Sequence, residues 1–262
     1  MDKSTISEKK IIVADLDGTL AESKAKVDKD MGSIINSLLG YMDFAVISGG
    51  SYKQLFKQFI GEIELDKSAA PRLYILPTSG SEMYRFSDGG WKTIYSEKLS
   101  ASEKKRIFDA FRTVENEGLY IRPDRVYGEI VEDRDTQITM SGVGQEAPMG
   151  AKDAWDPDAK KRTRIKARMD MLLPDFEVKL GGKSSIDVTR KGIDKAYGIK
   201  KINEHLGYGI SEMVFLGDAL FDGGNDYPVL KCGVDCVAVG SVSESKSVLR
   251  GFLDQLGKGA KD

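Results

Sequence analysis

The chain has only two cysteines in 262 residues, Cys232 and Cys236, and a single histidine, His205. Two thiols without a companion ligand cluster make neither a zinc site nor a disulfide framework, and they read as buried thiols of a cytosolic protein. A single histidine, expected at a helix end, argues against serine–histidine triads and polyhistidine metal sites. Acid–base chemistry therefore falls to carboxylates or lysine. His205 is expected near a helix C-terminus. No apolar run exceeds strand length, far short of a bilayer span. The charged stretch Met1–Lys10 leads into no signal-type apolar segment, so the expected location is the cytoplasm. An excess of one charge is also lacking. Lys plus Arg number 39 against 41 Asp plus Glu, a formal net charge of -2, which removes the electrostatic case for nucleic acid or an anionic membrane.

What is present is strand–helix alternation. Ile11–Ala14, Phe44–Ile47, Leu73–Leu76, Met213–Leu216 and Cys236–Val239 are short apolar runs of the kind buried on both faces of a parallel sheet. Met31, Ile34, Ile35 and Leu38 repeat at helical spacing within 27–39, and Tyr52, Leu55, Phe56 and Phe59 mark a second helix. The alternation predicts a doubly wound, Rossmann-like α/β sheet. The middle third differs. Ser100 and Glu103 form a capping box ahead of Ile107, Phe108, Phe111 and Val114. A further helix is predicted over 157–173 with Ile165, Met169 and Leu172 inward, and antiparallel strands over 134–140, 177–180 and 185–188. The expected organisation is a core of residues 1–87 and 189–262 with an inserted α+β domain, 88–188. Hinges fall where glycine and polar residues cluster, at Ser87–Gly90 and Thr189–Gly192, and Gly257–Asp262 reads as a frayed tail.

Four stretches carry chemistry. The first strand ends in Asp15-Leu16-Asp17-Gly18, whose carboxylates converge if the extended geometry persists. Two such charges repel unless a cation lies between them or one takes a proton. A metal-assisted reaction with one carboxylate as nucleophile and the other as acid/base uses both outcomes. The second strand runs into Ser48-Gly49-Gly50-Ser51, whose amides and Ser48 hydroxyl suit an anion, although a plain turn capped by Ser51 has the same composition. Lys195 opens a helix behind Asp194, a position where a cation makes better sense reaching an anion. Asp218 ends a buried strand, and Asp222, Asn225 and Asp226 follow in a glycine-rich loop with hard oxygen donors that suit magnesium. Ligands of α/β sheets gather at such strand ends.

Taken together these stretches resemble the four motifs of the haloacid dehalogenase (HAD) superfamily, type IIB, over nearly the whole chain. Asp15-x-Asp17-Gly-Thr resembles motif I, Ser48 motif II, Lys195 motif III, and Gly217-Asp218 through Asn225-Asp226 motif IV. The insert takes the place of a C2 cap. Among type IIB members the pattern is most similar to the eukaryotic-type phosphomannomutases and the sugar-phosphate phosphatases. Gly49-Gly50-Ser51, Gly181-Gly182-Lys183-Ser184-Ser185-Ile186-Asp187-Val188, Asp194-Lys195 and Gly223-Gly224-Asn225-Asp226 match phosphomannomutase signatures, and Arg134 matches a cap arginine. One departure stands out. Where that family ends a cap run in Ile-Gly-Arg, this chain reads Val143-Gly144-Gln145, and glutamine brings no charge to clamp a second phosphate.

The resemblance implies an Mg²⁺-dependent phosphohydrolase acting on a sugar phosphate through an aspartyl-phosphate. Asp15 would be the nucleophile and Asp17 the acid/base. Mg²⁺ would be held by the Asp15 carboxylate, the Asp17 carbonyl and Asp218, with Asp222, Asn225 and Asp226 behind them. Lys195, Ser48, Gly49 and Gly50 would hold the phosphoryl group. Arg134, Gln145, Lys183, Ser185 and Asp187 would read the sugar from the cap, through which the chain could also dimerise. The alternatives are a phosphomannomutase-like transfer between hexose 6- and 1-phosphates and, from another class, a catalytically silent sugar-phosphate-binding module.

Overall fold

The computed structural model describes residues 6–259 and divides into two compact units. One comprises the chain up to Ser96 together with the chain from Asp194 onward, and the other is Glu97–Ile193. In the first unit, β1 (Ile11–Asp15), β2 (Asp43–Ile47) and β3 (Leu73–Leu76) lie in one seven-stranded sheet with β4 (Glu82–Ser87), β5 (Gly90–Ser96), β10 (Met213–Gly217) and β11 (Asp235–Ala238). The order is β11-β10-β1-β2-β3-β4-β5, parallel from β11 to β3 and antiparallel beyond.

Residue alternation divides the apolar strands between two cores. Ile12, Ala14, Phe44, Val46 and Leu216 face α1 (Lys29–Leu38) and α8 (Val242–Gly259), while Ile11, Val13, Ile47 and Phe215 face α6 (Lys195–Leu206) and α7 (Tyr227–Lys231). Both faces are covered, which is why β1, β2, β3 and β10 are apolar almost throughout. The edge strand β11 is half-exposed, so Cys236, like Cys232 at the end of α7, is half-buried rather than fully buried. Burial still pushes the Cys236 thiol up to about 12. His205 lies in the last turn of α6, as expected, and stacks on Tyr95 at 4.7 Å.

Several expectations need correction. Ser87–Gly90 is not a hinge but the tip of the β4–β5 hairpin, with Asp88 and Gly89 both at positive φ (50° and 77°). Two such residues match the right-handed twist of the paired strands, and Asp-Gly is the composition that permits them. The unit boundaries fall instead at Ser96/Glu97 and Ile193/Asp194. The helix opened by Tyr52 is α for only four residues, α2 (Tyr52–Leu55), then widens to a π-turn at Phe56–Ile60. Helix α8 runs through Gly259, so the tail is not frayed at Gly257, and 260–262 lie outside the described residues. Among the described residues no helix is long and apolar enough to cross a membrane.

The second unit is a four-stranded antiparallel sheet, β6 (Val131–Asp133), β7 (Ile138–Ser141), β9 (Ser185–Arg190) and β8 (Phe176–Gly181) in that order. Helices α3 (Ala101–Asn116) and α5 (Lys160–Leu172) bury Ile107, Phe111, Val114, Ile165 and Met169 against Ile138, Met140, Ile186 and Val188. The Ser100–Glu103 capping box forms as read. The segment 134–140 is not one strand, because Arg134 N–H bonds Gln137 O and Asp135 takes φ 63°, turning the chain between β6 and β7. A helix not anticipated, α4 (Met149–Trp155), precedes α5.

Candidate active site

The sheet order explains where the charged side chains gather. Chain connections leave β1 toward β2 on one side, and the later strand β10 lies on the other, which makes the carboxyl end of β1 a topological switch point. Asp15 is the last residue of β1, Ser48 follows β2, and Asp218 follows β10. Lys195 is the first residue of α6, behind Asp194, which caps the helix by accepting from Tyr197 N–H at 3.0 Å.

Lys195 is 1% exposed, and its Nζ donates to Asp15 Oδ1 and Asp226 Oδ1, each at 2.5 Å. The second oxygen of Asp226 accepts from Ala219 N–H at 3.0 Å. Oxygens of Asp15, Asp218 and Asp226 all lie within 4.8 Å of one another. Glycine makes this approach possible at two points. A Cβ on Gly18 would come within 2.3 Å of Asp218 Oδ2, and one on Gly217 within 2.5 Å of Asp226 Oδ2.

Three carboxylates facing one ammonium leave a formal excess of two negative charges. Burial therefore raises the Asp15 carboxyl to about 7, opposed by Lys195 and reinforced by Asp226. Burial and then Asp226 raise Asp218 as well. Burial also works against the Lys195 ammonium, but Asp15 and Asp226 outweigh it and hold that group above its ordinary value. A divalent cation is the charge this donor set is short of, and three oxygens suit a hard ion that keeps several waters. Asp226 already spends both oxygens on Lys195 and Ala219, so Asp15 and Asp218 are the side chains best able to hold such an ion.

The other expected residues divide. Asp17 is half-buried and turns its Oδ1 toward the Lys24 amide (2.5 Å) and Gln58 Nε2 (3.4 Å), and its charge adds to those that raise Asp15 and Asp218. Ser48 is buried, and its hydroxyl oxygen accepts from Gly50 N–H at 3.0 Å, leaving its proton to donate. That bond engages the Gly50 amide, and Ser51 N–H is engaged by Gln54 Oε1, so the loop offers less backbone to an anion than its composition suggests. Asp222 and Asn225 stay exposed, and Asp222 is outside the acidic group.

In the inserted unit the polar residues bind one another. Arg134 donates to Glu132 Oε2 at 2.6 Å and to Gln145 Oε1 at 3.3 Å. Gln145 Nε2 donates to Thr139 O (3.0 Å) and Ile130 O (3.3 Å). The glutamine is thus fastened to the backbone of Ile130 and Thr139 and to Arg134. Thr139 Oγ1 donates to Asp187 Oδ1 at 2.8 Å, and Ser185 is half-buried on the same strand. Lys183 is exposed and lies 3.5 Å from Asp153.

A family model for haloacid dehalogenase-like hydrolases matches residues 12–246. The chain belongs to this family. Its relatives include the phosphomannomutase of Encephalitozoon cuniculi, 27% identical over 96% of each chain, and that of Spinacia oleracea, 26% identical over 84% of this chain and 85% of that one. Among solved structures it resembles a haloacid dehalogenase-like hydrolase from Bacteroides thetaiotaomicron, with TM-score 0.62, 16% identity, and coverage of 93% and 99%. At that identity the structural likeness shows the fold.

For a haloacid dehalogenase-like hydrolase, two site features escaped the sequence. Asp226 was expected behind the metal, yet it is the second anchor of Lys195, which only the tertiary contact reveals. Gln58 was not singled out at all. Its sole signal was a glutamine inside an otherwise amphipathic helix.

Proposed function

We propose that this haloacid dehalogenase-like hydrolase is a phosphatase that releases inorganic phosphate from a sugar phosphate. The observation that carries the reading is the Asp15–Lys195–Asp226 arrangement with Asp218 alongside, a buried nucleophile flanked by a fixed cation. An Asp15 oxygen attacks phosphorus and forms an acyl phosphate as the ester P–O bond breaks. Asp17 delivers its proton to the departing alkoxide, and the alcohol leaves. A water then attacks phosphorus, gives a proton to Asp17, and restores the Asp15 carboxylate with release of phosphate. Lys195 and the Ser48 hydroxyl neutralise and orient the phosphoryl oxygens throughout. Mg²⁺, when held by Asp15, Asp218 and the Asp17 carbonyl, supplies the remaining positive charge at the phosphoryl group. Arg134, Ser185 and Asp187 supply contacts to the sugar.

Similarity to phosphomannomutases along the whole chain supports the second reading, a mutase. Against it stands Gln145, which is neutral and already bonded through both ends of its amide. A mutase has to grip two phosphates in turn, whereas hydrolysis needs one phosphate site. Phosphate release over a panel of hexose and disaccharide phosphates with Mg²⁺, run beside a coupled assay for mannose 1-phosphate conversion, separates the two. Isomerisation exceeding phosphate release would overturn the hydrolytic reading.

A further inference from the structure

Gln58 touches the loop after the first strand at three places. Its carbonyl accepts from Val27 N–H at 2.8 Å, and its Nε2 donates to Ala25 O at 3.3 Å and to Asp17 Oδ1 at 3.4 Å. It occupies the middle of the π-turn Phe56–Ile60, whose next two residues, Phe59 and Ile60, are buried in the core. Single π-turns within helices recur at functional sites because they redirect a side chain without ending the helix. The residue that shares Asp17 Oδ1 is also constrained. Lys24 takes φ 59°, a left-handed conformation unusual for lysine, and its amide reaches Asp17 Oδ1 at 2.5 Å. Lys24 is next to Ala25, one of the points that Gln58 holds.

We infer that Gln58 is the positioning residue for Asp17, fixing the rotation of its carboxylate and the loop that supplies its second donor. Oδ1 accepts two N–H bonds and is committed as an acceptor, so Oδ2 is the oxygen that exchanges a proton with the leaving alcohol and the attacking water. The inference rests on the proposed phosphoryl transfer, in which Asp17 is the acid/base. Correct orientation matters most when the leaving group cannot depart as an anion by itself.

The test compares two esters with full-length protein and Mg²⁺: glucose 6-phosphate, whose alkoxide needs a proton, and p-nitrophenyl phosphate, whose phenolate does not. Gln58→Met keeps the volume and removes the donor. In single turnover, which isolates alcohol release from the acyl-phosphate hydrolysis that both esters share, glucose release should slow roughly 10- to 100-fold, a part of what a positioned acid contributes, with p-nitrophenolate release within about threefold of wild type. In an Asp17→Ala background the same change should have no further effect on the ratio of the two rates. If Gln58→Met does not fold, Gln58→Asn, which keeps the amide but shortens its reach, takes its place. An equal loss on both esters, or none on either, would overturn the positioning role and leave the phosphatase intact. Wild-type protein inert on both esters would overturn the phosphatase reading itself.

Discussion

Ionisable side chains in the two units meet opposite circumstances. In the core unit buried Asp15 and Asp226 share Lys195, exposed Asp218 lies alongside them, and the group is short of positive charge. In the inserted unit Arg134, Glu132, Gln145, Thr139 and Asp187 are joined by bonds that largely satisfy them. An unsatisfied buried charge has a strong, directional demand for a ligand, whereas a satisfied polar surface selects weakly and by shape. On the proposed reading, bond making belongs to the first unit and discrimination to the second.

The sharpest way to break that division is Asp15→Asn. Removing a nucleophile typically costs at least about 10⁴-fold in turnover, so phosphate release should become undetectable in a standard assay while circular dichroism stays unchanged. Residual activity of a tenth or more would move the chemistry elsewhere. Next comes Lys195→Met, which leaves Asp15 and Asp226 buried without their shared cation. Loss of one partner from a buried ionic group costs about 3–5 kcal/mol, and urea unfolding of the metal-free protein should show a destabilisation of that order. An unchanged midpoint would mean that the two carboxylates are not buried together.

A third effect depends on pH. The folded Asp15 carboxyl lies near 7 against an ordinary 3.8, so the folded state binds the extra proton between those values. Its contribution to stability is present in full below the unfolded value and is lost as pH rises through the folded one. Metal-free protein should therefore lose stability between about pH 4 and pH 7 from this group, by an amount on the order of a few kcal/mol. Mg²⁺ should raise the melting temperature more at pH 8 than at pH 5, where it competes with that proton. Equal shifts at both pH values would contradict a shared site. The smallest effect is expected in the inserted unit. Gln145→Arg gives up hydrogen bonds worth about 1–2 kcal/mol and changes hydrolysis little. Coupled assays should then detect isomerisation above the wild-type level if charge at this position is what separates the two activities.

Much of the fold was legible because its signals are local. Apolar runs buried on both faces marked β1, β2, β3 and β10, and the Ser100–Glu103 pair marked the start of α3. The antiparallel strands β4 and β5 were missed because both are half-exposed and interleave polar with aromatic residues, without the buried run that betrays a central strand. Their Asp88-Gly89 turn was visible, but it was read as a hinge, since flexibility and a tight reversal use the same residues. Asp15, Ser48, Lys195 and Asp218 stand at the strand ends and helix start that the local pattern marked. The hydrogen bonds of Gln145 were not legible, because its partners, Ile130 O and Thr139 O, are backbone atoms that only the folded chain brings near.

By itself the sequence determined which chemistry this protein can attempt: carboxylates and a lysine at strand ends, with one histidine and two cysteines arguing against the common alternatives. The type of a residue and its position on a strand follow from local pattern, and local pattern is written in the chain. Only the tertiary structure decided that Asp226 shares Lys195 with Asp15, that Gln58 reaches Asp17, and that Gln145 turns inward. Each of those contacts joins residues far apart along the chain or across a turn. A hydrogen bond depends on a few ångströms and an angle, which no spacing in a sequence encodes.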